Sequence, residues 1–223
     1  MERLAVLREG YRGFRERYYP EHRELFTRLT ELGQAPKAMI VSCCDSRVDP
    51  TVIFSAQPGD LFVVRNVANQ VPPCESGGQY HGTSAALEFA VLGLGIPHVV
   101  VLGHAQCGGV AAFLDRMHRS DARDDGAAPD GGFIDQWMSL LEPAWTRVRR
   151  TRPEAEGAAL QRALEQASVV HALDNLKSFP FVRERMAHGA LSVHGGYFDI
   201  PTAELSVFDP AHDAFVPLAS DDD

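Results

Sequence analysis

Cysteine is scarce in this sequence, with four residues in 223, at positions 43, 44, 74 and 107. That is too few for a disulfide framework, so the thiols are expected to fill core space, bind metal or act as nucleophiles. There is no basic excess either. Lys and Arg total 21 against 30 Asp and Glu, a formal net charge of −9. Nucleic acid is thereby excluded as the main partner, because phosphate binding needs a basic face. Nor would such a chain be drawn to an anionic membrane surface. Apolar runs such as HVVVLGH fall far short of the ~20 residues that span a bilayer. The N-terminal stretch MERLAVLREGYRGFRERYYPEHRELF carries too many charges to hold the apolar heart of a signal peptide. Internal repeats are absent. What remains is a soluble chain, expected in the cytoplasm, long enough for one compact domain with or without an extension.

What is present is an alternation of apolar strands and helices. Residues 1–33 read as a charged, amphipathic helical arm, with Leu4, Leu7, Tyr11, Phe14, Leu25, Phe26 and Leu29 apolar and Pro20 as the expected break. KAMIVS, DLFVVR and PHVVVLGH read as buried strands, and YHGTSAALEFAVLGLG and CGGVAAFLDRMHR as helices. SDARDDGAAPDGG is a polar loop, and helix is expected over Phe133–Arg150 and Ala155–Arg185. ALSVHGGYFDI and AELSVFD close the fold as strands, before a frayed SDDD tail. The fold class is therefore α/β. A mostly parallel sheet of order 2-1-3-4, plus a C-terminal edge strand, is flanked by helices in a single domain over 34–223.

The chemistry gathers at two strand ends. In SCCDSR, strand alternation would set Cys43, Asp45 and Arg47 on one side and Cys44 and Ser46 on the other. A carboxylate beside a guanidinium stays ionised and held in orientation. In GHAQCGG, His104 ends a strand and Cys107 opens a helix, where the dipole favours a thiolate. If strands 1 and 3 are neighbours, Cys43, His104 and Cys107 meet at the carboxyl ends of the sheet. They then form a Cys2His zinc set. Three protein ligands leave one position open for water or substrate, as catalytic zinc sites do. Cys44 and Cys74 read as small core residues, and His98, His171, His188 and His194 as hydrogen-bonded structural residues. A phosphatase-type thiolate loop would need arginine six residues after its cysteine, where this chain has Asp49 and Pro50. GLG precedes a strand rather than following one, so it is not a dinucleotide fingerprint.

These residues resemble a known family. CCDSRV is similar to the C-x-D-S-R signature of the β-class carbonic anhydrases, and HAQCGG to their H-x-x-C-G-G signature. The likeness is strong from Lys37 to Phe113 and looser to Asp209. It implies one zinc ion per subunit on Cys43, His104 and Cys107, an Asp45–Arg47 catalytic dyad, and reversible hydration of CO2 to bicarbonate. It also implies a homodimer or higher oligomer embraced by the N-terminal helices. Some members have an inactive state, which would make Asp45 a fourth ligand here. For the substrate pocket, the expected residues are Gly108 and Gly109 through their N–H groups, with Val67 and Phe89 as apolar walls. The chain departs from the pattern at Cys44, where serine is commoner, and at Ile40, where members with an inhibitory bicarbonate site carry an aromatic residue; Arg65 of that site is kept. Gln79 is out of register with a pocket glutamine of plant-like members. The same scaffold could instead hydrolyse CS2 or COS, or serve as a non-catalytic zinc-binding regulator. A redox role for the adjacent Cys43–Cys44 pair would require a strained disulfide.

Overall fold

Met39 and Val41 are fully buried in β1 (Ala38–Cys43), an AMIVSC segment with no polar break until Ser42. Such a strand must be covered on its flanks, and it lies inside a six-stranded sheet of order β2-β1-β3-β4-β5-β6. The other strands are β2 (Leu61–Asn66), β3 (His98–His104), β4 (Ser192–Asp199), β5 (Glu204–Asp209) and β6 (Ala214–Pro217). The first four strands in that order run parallel. Cys43 lies opposite Asn66, Val41 opposite Val101, and His104 opposite Phe198. β5 and β6 then add as an antiparallel edge. The α/β class and the 2-1-3-4 order match the sequence reading. The edge has one strand more than expected, because AFVP is too short to carry a period. In this computed structural model residues 4–75, 77, 81–121 and 132–218 are described. Gln79, most of the polar loop and the SDDD tail lie outside those residues.

The helices are α1 (Ala5–Gly13), α2 (Tyr19–Glu21), α3 (Arg23–Leu32), α4 (Pro50–Ile53), α5 (Gly82–Glu88), α6 (Gly108–Asp121), α7 (Phe133–Met138), α8 (Glu142–Thr151), α9 (Gly157–Ser178) and α10 (Pro180–Ala187). α9 is buried around most of its circumference, with twelve buried residues that include Glu165, Ser168 and Asn175, as a helix sandwiched between sheet and α8. Its upper half packs with Met39, Val41, Val99 and Val101. Its lower half packs with Cys43, Cys107, Val110 and Phe113 in a second cluster at the carboxyl ends of the strands.

Three expected boundaries shift, each for a backbone reason. The helix expected over Ala155–Arg185 is cut at Phe179, extended at φ −74°, ψ 124°, because Pro180 has no N–H and crowds the residue before it. Pro20 does not break the arm. It sits in the first turn of α2, after a π-helical turn over Phe14–Tyr18, and the interruption comes at His22 (φ −111°, ψ 14°). The helix expected from Tyr80 to Gly95 is α5 followed by a π-helical turn over Phe89–Gly93. Gly95 at φ +65° provides the left-handed stop, with Ile96 N–H donating to the Ala90 carbonyl.

Candidate metal centre

β1 stops at Cys43, and the chain leaves the sheet in a turn in which Val48 N–H donates to the Asp45 carbonyl (3.1 Å). Inside that turn the Asp45 carboxylate accepts the Arg47 backbone N–H (3.0 Å), then Arg47 Nε on Oδ1 (2.9 Å) and Arg47 Nη2 on Oδ2 (2.7 Å). The expected pair is thus present, but a turn makes it rather than strand alternation, which ends two residues earlier. The Arg47 guanidinium, above all, holds the Asp45 carboxyl well below the usual carboxylate range. Arg47 Nη2 also reaches the Gln106 carbonyl (3.1 Å), linking this turn to the end of β3.

At that end His104 and Cys107 are each 1 % exposed. Between them Gln106 takes φ +56°, a left-handed kink that turns the chain from β3 into α6. A carbonyl can only accept, so the 2.8 Å contact to Ala105 O fixes the proton on His104 Nδ1. His104 Nε2 is then a bare lone pair, buried and without a partner. Cys43 Sγ and Cys107 Sγ lie 3.9 Å apart. The three ligand atoms fall within 4.8 Å of one another, and these residues are the one such group among those described. Cys107 and the backbone N–H groups of Asp45 and Ala68 favour a thiolate at Cys43 against the cost of burial. Cys107, facing that thiolate, is driven the other way and resists a second negative charge. A dication removes that resistance. Two sulfurs and an orphaned imidazole nitrogen, buried together, fit zinc.

The flanking residues divide. Arg65 donates from Nε to the Cys43 carbonyl (2.9 Å), from Nη2 to the Asp45 carbonyl (2.6 Å) and from Nη1 to Asp49 Oδ2 (3.0 Å), so it staples the ligand turn to β2. A Cβ on Gly109 would come within 2.9 Å of Val67 Cγ1 and 3.2 Å of Ala68 Cβ, whereas one on Gly108 would meet open space. Gly108 and Gly109 are the first two residues of α6, directly after Cys107. Val67 packs in the cluster that holds Cys43 and Cys107, and its carbonyl accepts Trp137 Nε1–H (2.8 Å). Phe89 is not brought there. It is 52 % exposed and pairs with Phe62, which packs against the other cluster. Its π-helical turn aims it outward, which no helical wheel predicts. Cys44 and Cys74 are exposed, not core residues, because the strand that would have buried Cys44 has already ended. Asp45 is not in the metal group; both of its oxygens are on Arg47.

Sequence reasoning missed one charged residue altogether. Glu165 is 3 % exposed and accepts Cys107 N–H (2.9 Å) and Gln161 Nε2–H (2.9 Å) on Oε1, and Tyr197 O–H (2.7 Å) on Oε2. Its neighbours along α9, Gln161, Arg162 and Gln166, are polar too, so the sequence carried no signal that sets Glu165 apart.

Residues 38–205 match the family described as carbonic anhydrase. The chain belongs to the β-class carbonic anhydrase family. It is 34% identical over 193 residues to β carbonic anhydrase 5, chloroplastic, of Arabidopsis thaliana, covering 86% of this chain and 60% of that protein's length. It is 33% identical over 202 residues to a carbonic anhydrase of Synechococcus elongatus, covering 91% of this chain and 70% of the relative. Among solved structures, the β-carbonic anhydrase CcaA superposes with a TM-score of 0.86 at 32% identity, covering 99% of this chain and 94% of that one. A tetrameric β-carbonic anhydrase of Sordaria macrospora superposes at 0.78 and 27% identity, covering 98% and 100%. The carbonic anhydrase match begins at the first residue of β1 and ends in β5. It therefore contains both halves of the metal centre and leaves the N-terminal helices outside.

Proposed function

We propose that this protein catalyses the reversible hydration of CO2 to bicarbonate and a proton, with one zinc ion per subunit on Cys43, His104 and Cys107. The observation that carries this reading is the buried, unpartnered His104 Nε2 beside two thiols, with the Asp45–Arg47 pair at the next turn. Zinc in a three-ligand site is a Lewis acid that makes water a nucleophile near neutral pH, the property for which carbonic anhydrases are the standard example. The chain's own residues do the rest. His104 is held in one tautomer by Ala105, so its Nε2 is always presented as a ligand. Arg47 donates twice to Asp45 Oδ1 and once to Oδ2, which keeps the carboxylate ionised and leaves Oδ2 able to accept a hydrogen bond from the attacking water and orient it. CO2 is apolar and meets Val67. Gly108, the first residue of α6, offers its N–H to the charge that develops on bicarbonate.

The N-terminal arm, residues 1–33, belongs to the same reading. Leu4, Leu7, Tyr11 and Phe14 are exposed, and neither α1 nor α3 buries a residue, which supports a role in gripping a second subunit of a homo-oligomer. No described helix is long and apolar enough to cross a membrane. The cytoplasm is the proposed location, because thiol ligands need a reducing compartment to stay free. The test is stopped-flow CO2 hydration with zinc stoichiometry on one sample. One zinc per chain with hydration is the expected result. Sulfide release from COS or CS2 without hydration would reassign the chemistry, and zinc without either activity would mark a non-catalytic binder.

A further inference from the structure

Glu165 is a carboxylate buried where charge is costly, and its place is defended by donors on both oxygens. Those donors are not scattered. Cys107 N–H and Gln161 Nε2–H share Oε1, and Gln161 Nε2 also approaches the Cys107 carbonyl (3.4 Å). Two residues of α9, one turn apart, therefore hold both main-chain polar groups of a metal-ligand residue. On the far side Tyr197 O–H occupies Oε2, and the next residue, Phe198, accepts Ala105 N–H at its carbonyl (2.9 Å). The contacts close into a ring, from Ala105 through Phe198 and Tyr197 to Glu165 and back to Cys107. It encloses the kinked segment that carries His104 at one end and Cys107 at the other, with Gln106 in the left-handed region between them.

We infer that Glu165 is a positioning residue that sets the separation of the His104 and Cys107 ligands. The inference rests on the zinc reading above. The kink at Gln106 is not favoured by its own backbone, so an outside constraint is needed to hold it. Tyr197 and Glu165 supply that constraint from β4 and α9, the elements packed beside β3. A metal site whose ligands are held by such outer partners loses roughly 10–100-fold in metal affinity when a partner is removed.

The zinc-loaded, full-length protein tests this in two ways: zinc release to an excess of chelator, and the visible spectrum of the cobalt-substituted protein, which reports ligand geometry. Glu165→Ala should release zinc at least about 10-fold faster than wild type and shift the cobalt bands. Glu165→Gln keeps a carbonyl oxygen for Cys107 N–H and should recover most of that loss, which a mere filler of space would not do. Tyr197→Phe leaves the Cys107 contact in place but frees Oε2, and should give a smaller acceleration with a shifted spectrum. It keeps the question open to test if Glu165→Ala does not fold. Release rates and spectra equal to wild type in all folded variants would overturn the inference. So would Glu165→Gln as defective as Glu165→Ala. A wild type that holds no zinc would instead overturn the zinc reading itself.

Discussion

The ends of β1 and β3 each deliver half of the metal centre, and they are built by different means. After Cys43 the chain makes a polar turn whose order comes from charge. Asp45 is held by Arg47, and the Cys43 and Asp45 carbonyls are held by Arg65 with Asp49 behind it. The Arg47 side chain is 47% exposed, and its partner's is 16%. After His104 the chain makes a turn that is buried except at Gln106, and its order comes from packing and one hidden carboxylate. The first half is a charge-ordered turn at the solvent edge, with Asp45 locked by Arg47. The second is a device for holding a metal. That division suits the chemistry, because a ligand set gains from exclusion of water while a dyad must reach it.

Substitutions that separate holding from orienting break the comparison most sharply. His104→Ala or Cys43→Ser should lose zinc and activity together, read by metal analysis and CO2 hydration on the same preparation; full zinc in either variant would refute the ligand set. Asp45→Asn should keep the zinc and cost roughly 100-fold or more in kcat, because it removes orientation and leaves the buried half intact. Gly109→Ala should cost about 1–3 kcal/mol in urea unfolding, since its Cβ would press on Val67 and Ala68, while Gly108→Ala stays within ~0.5 kcal/mol. The smallest effect concerns α9, the helix that supports the β3 half. His171 there is pushed below its ordinary pKa by burial, with Asp174 opposing. The unfolded chain therefore takes the proton first, and stability drains as pH falls below ~6.5 while nothing is lost above it. His171→Gln should narrow the difference in unfolding midpoint between pH 7.5 and pH 5.5, and an unchanged difference would remove His171 from that account.

Local pattern made much of this legible. SCCDSR and HAQCGG show their chemistry within six residues each, because Asp45 and Arg47 are two apart and His104 and Cys107 three apart. The apolar strands announced a parallel sheet, and the order 2-1-3-4 followed from how such sheets are wound. Cys44 and Cys74, expected in the core, are exposed, and Phe89 lies away from the metal centre. Their surroundings depend on where an element stops or bulges, and period alone does not say. Glu165 and Tyr197 were invisible as a unit because they lie 32 residues apart and serve a residue 58 positions before the first of them.

By itself, then, the sequence determined the fold class and pointed to the Cys43, His104 and Cys107 cluster and the Asp45–Arg47 pair, since these are written in residue types at short, fixed spacing. Tertiary structure alone decided that a turn rather than a strand joins Asp45 to Arg47, that His104 Nε2 is left bare, and that Glu165 stands behind Cys107. The first two depend on where β1 and β3 stop, and the last on α9 packing beside the end of β3, because a hydrogen bond is settled by distance and direction in space rather than along the chain.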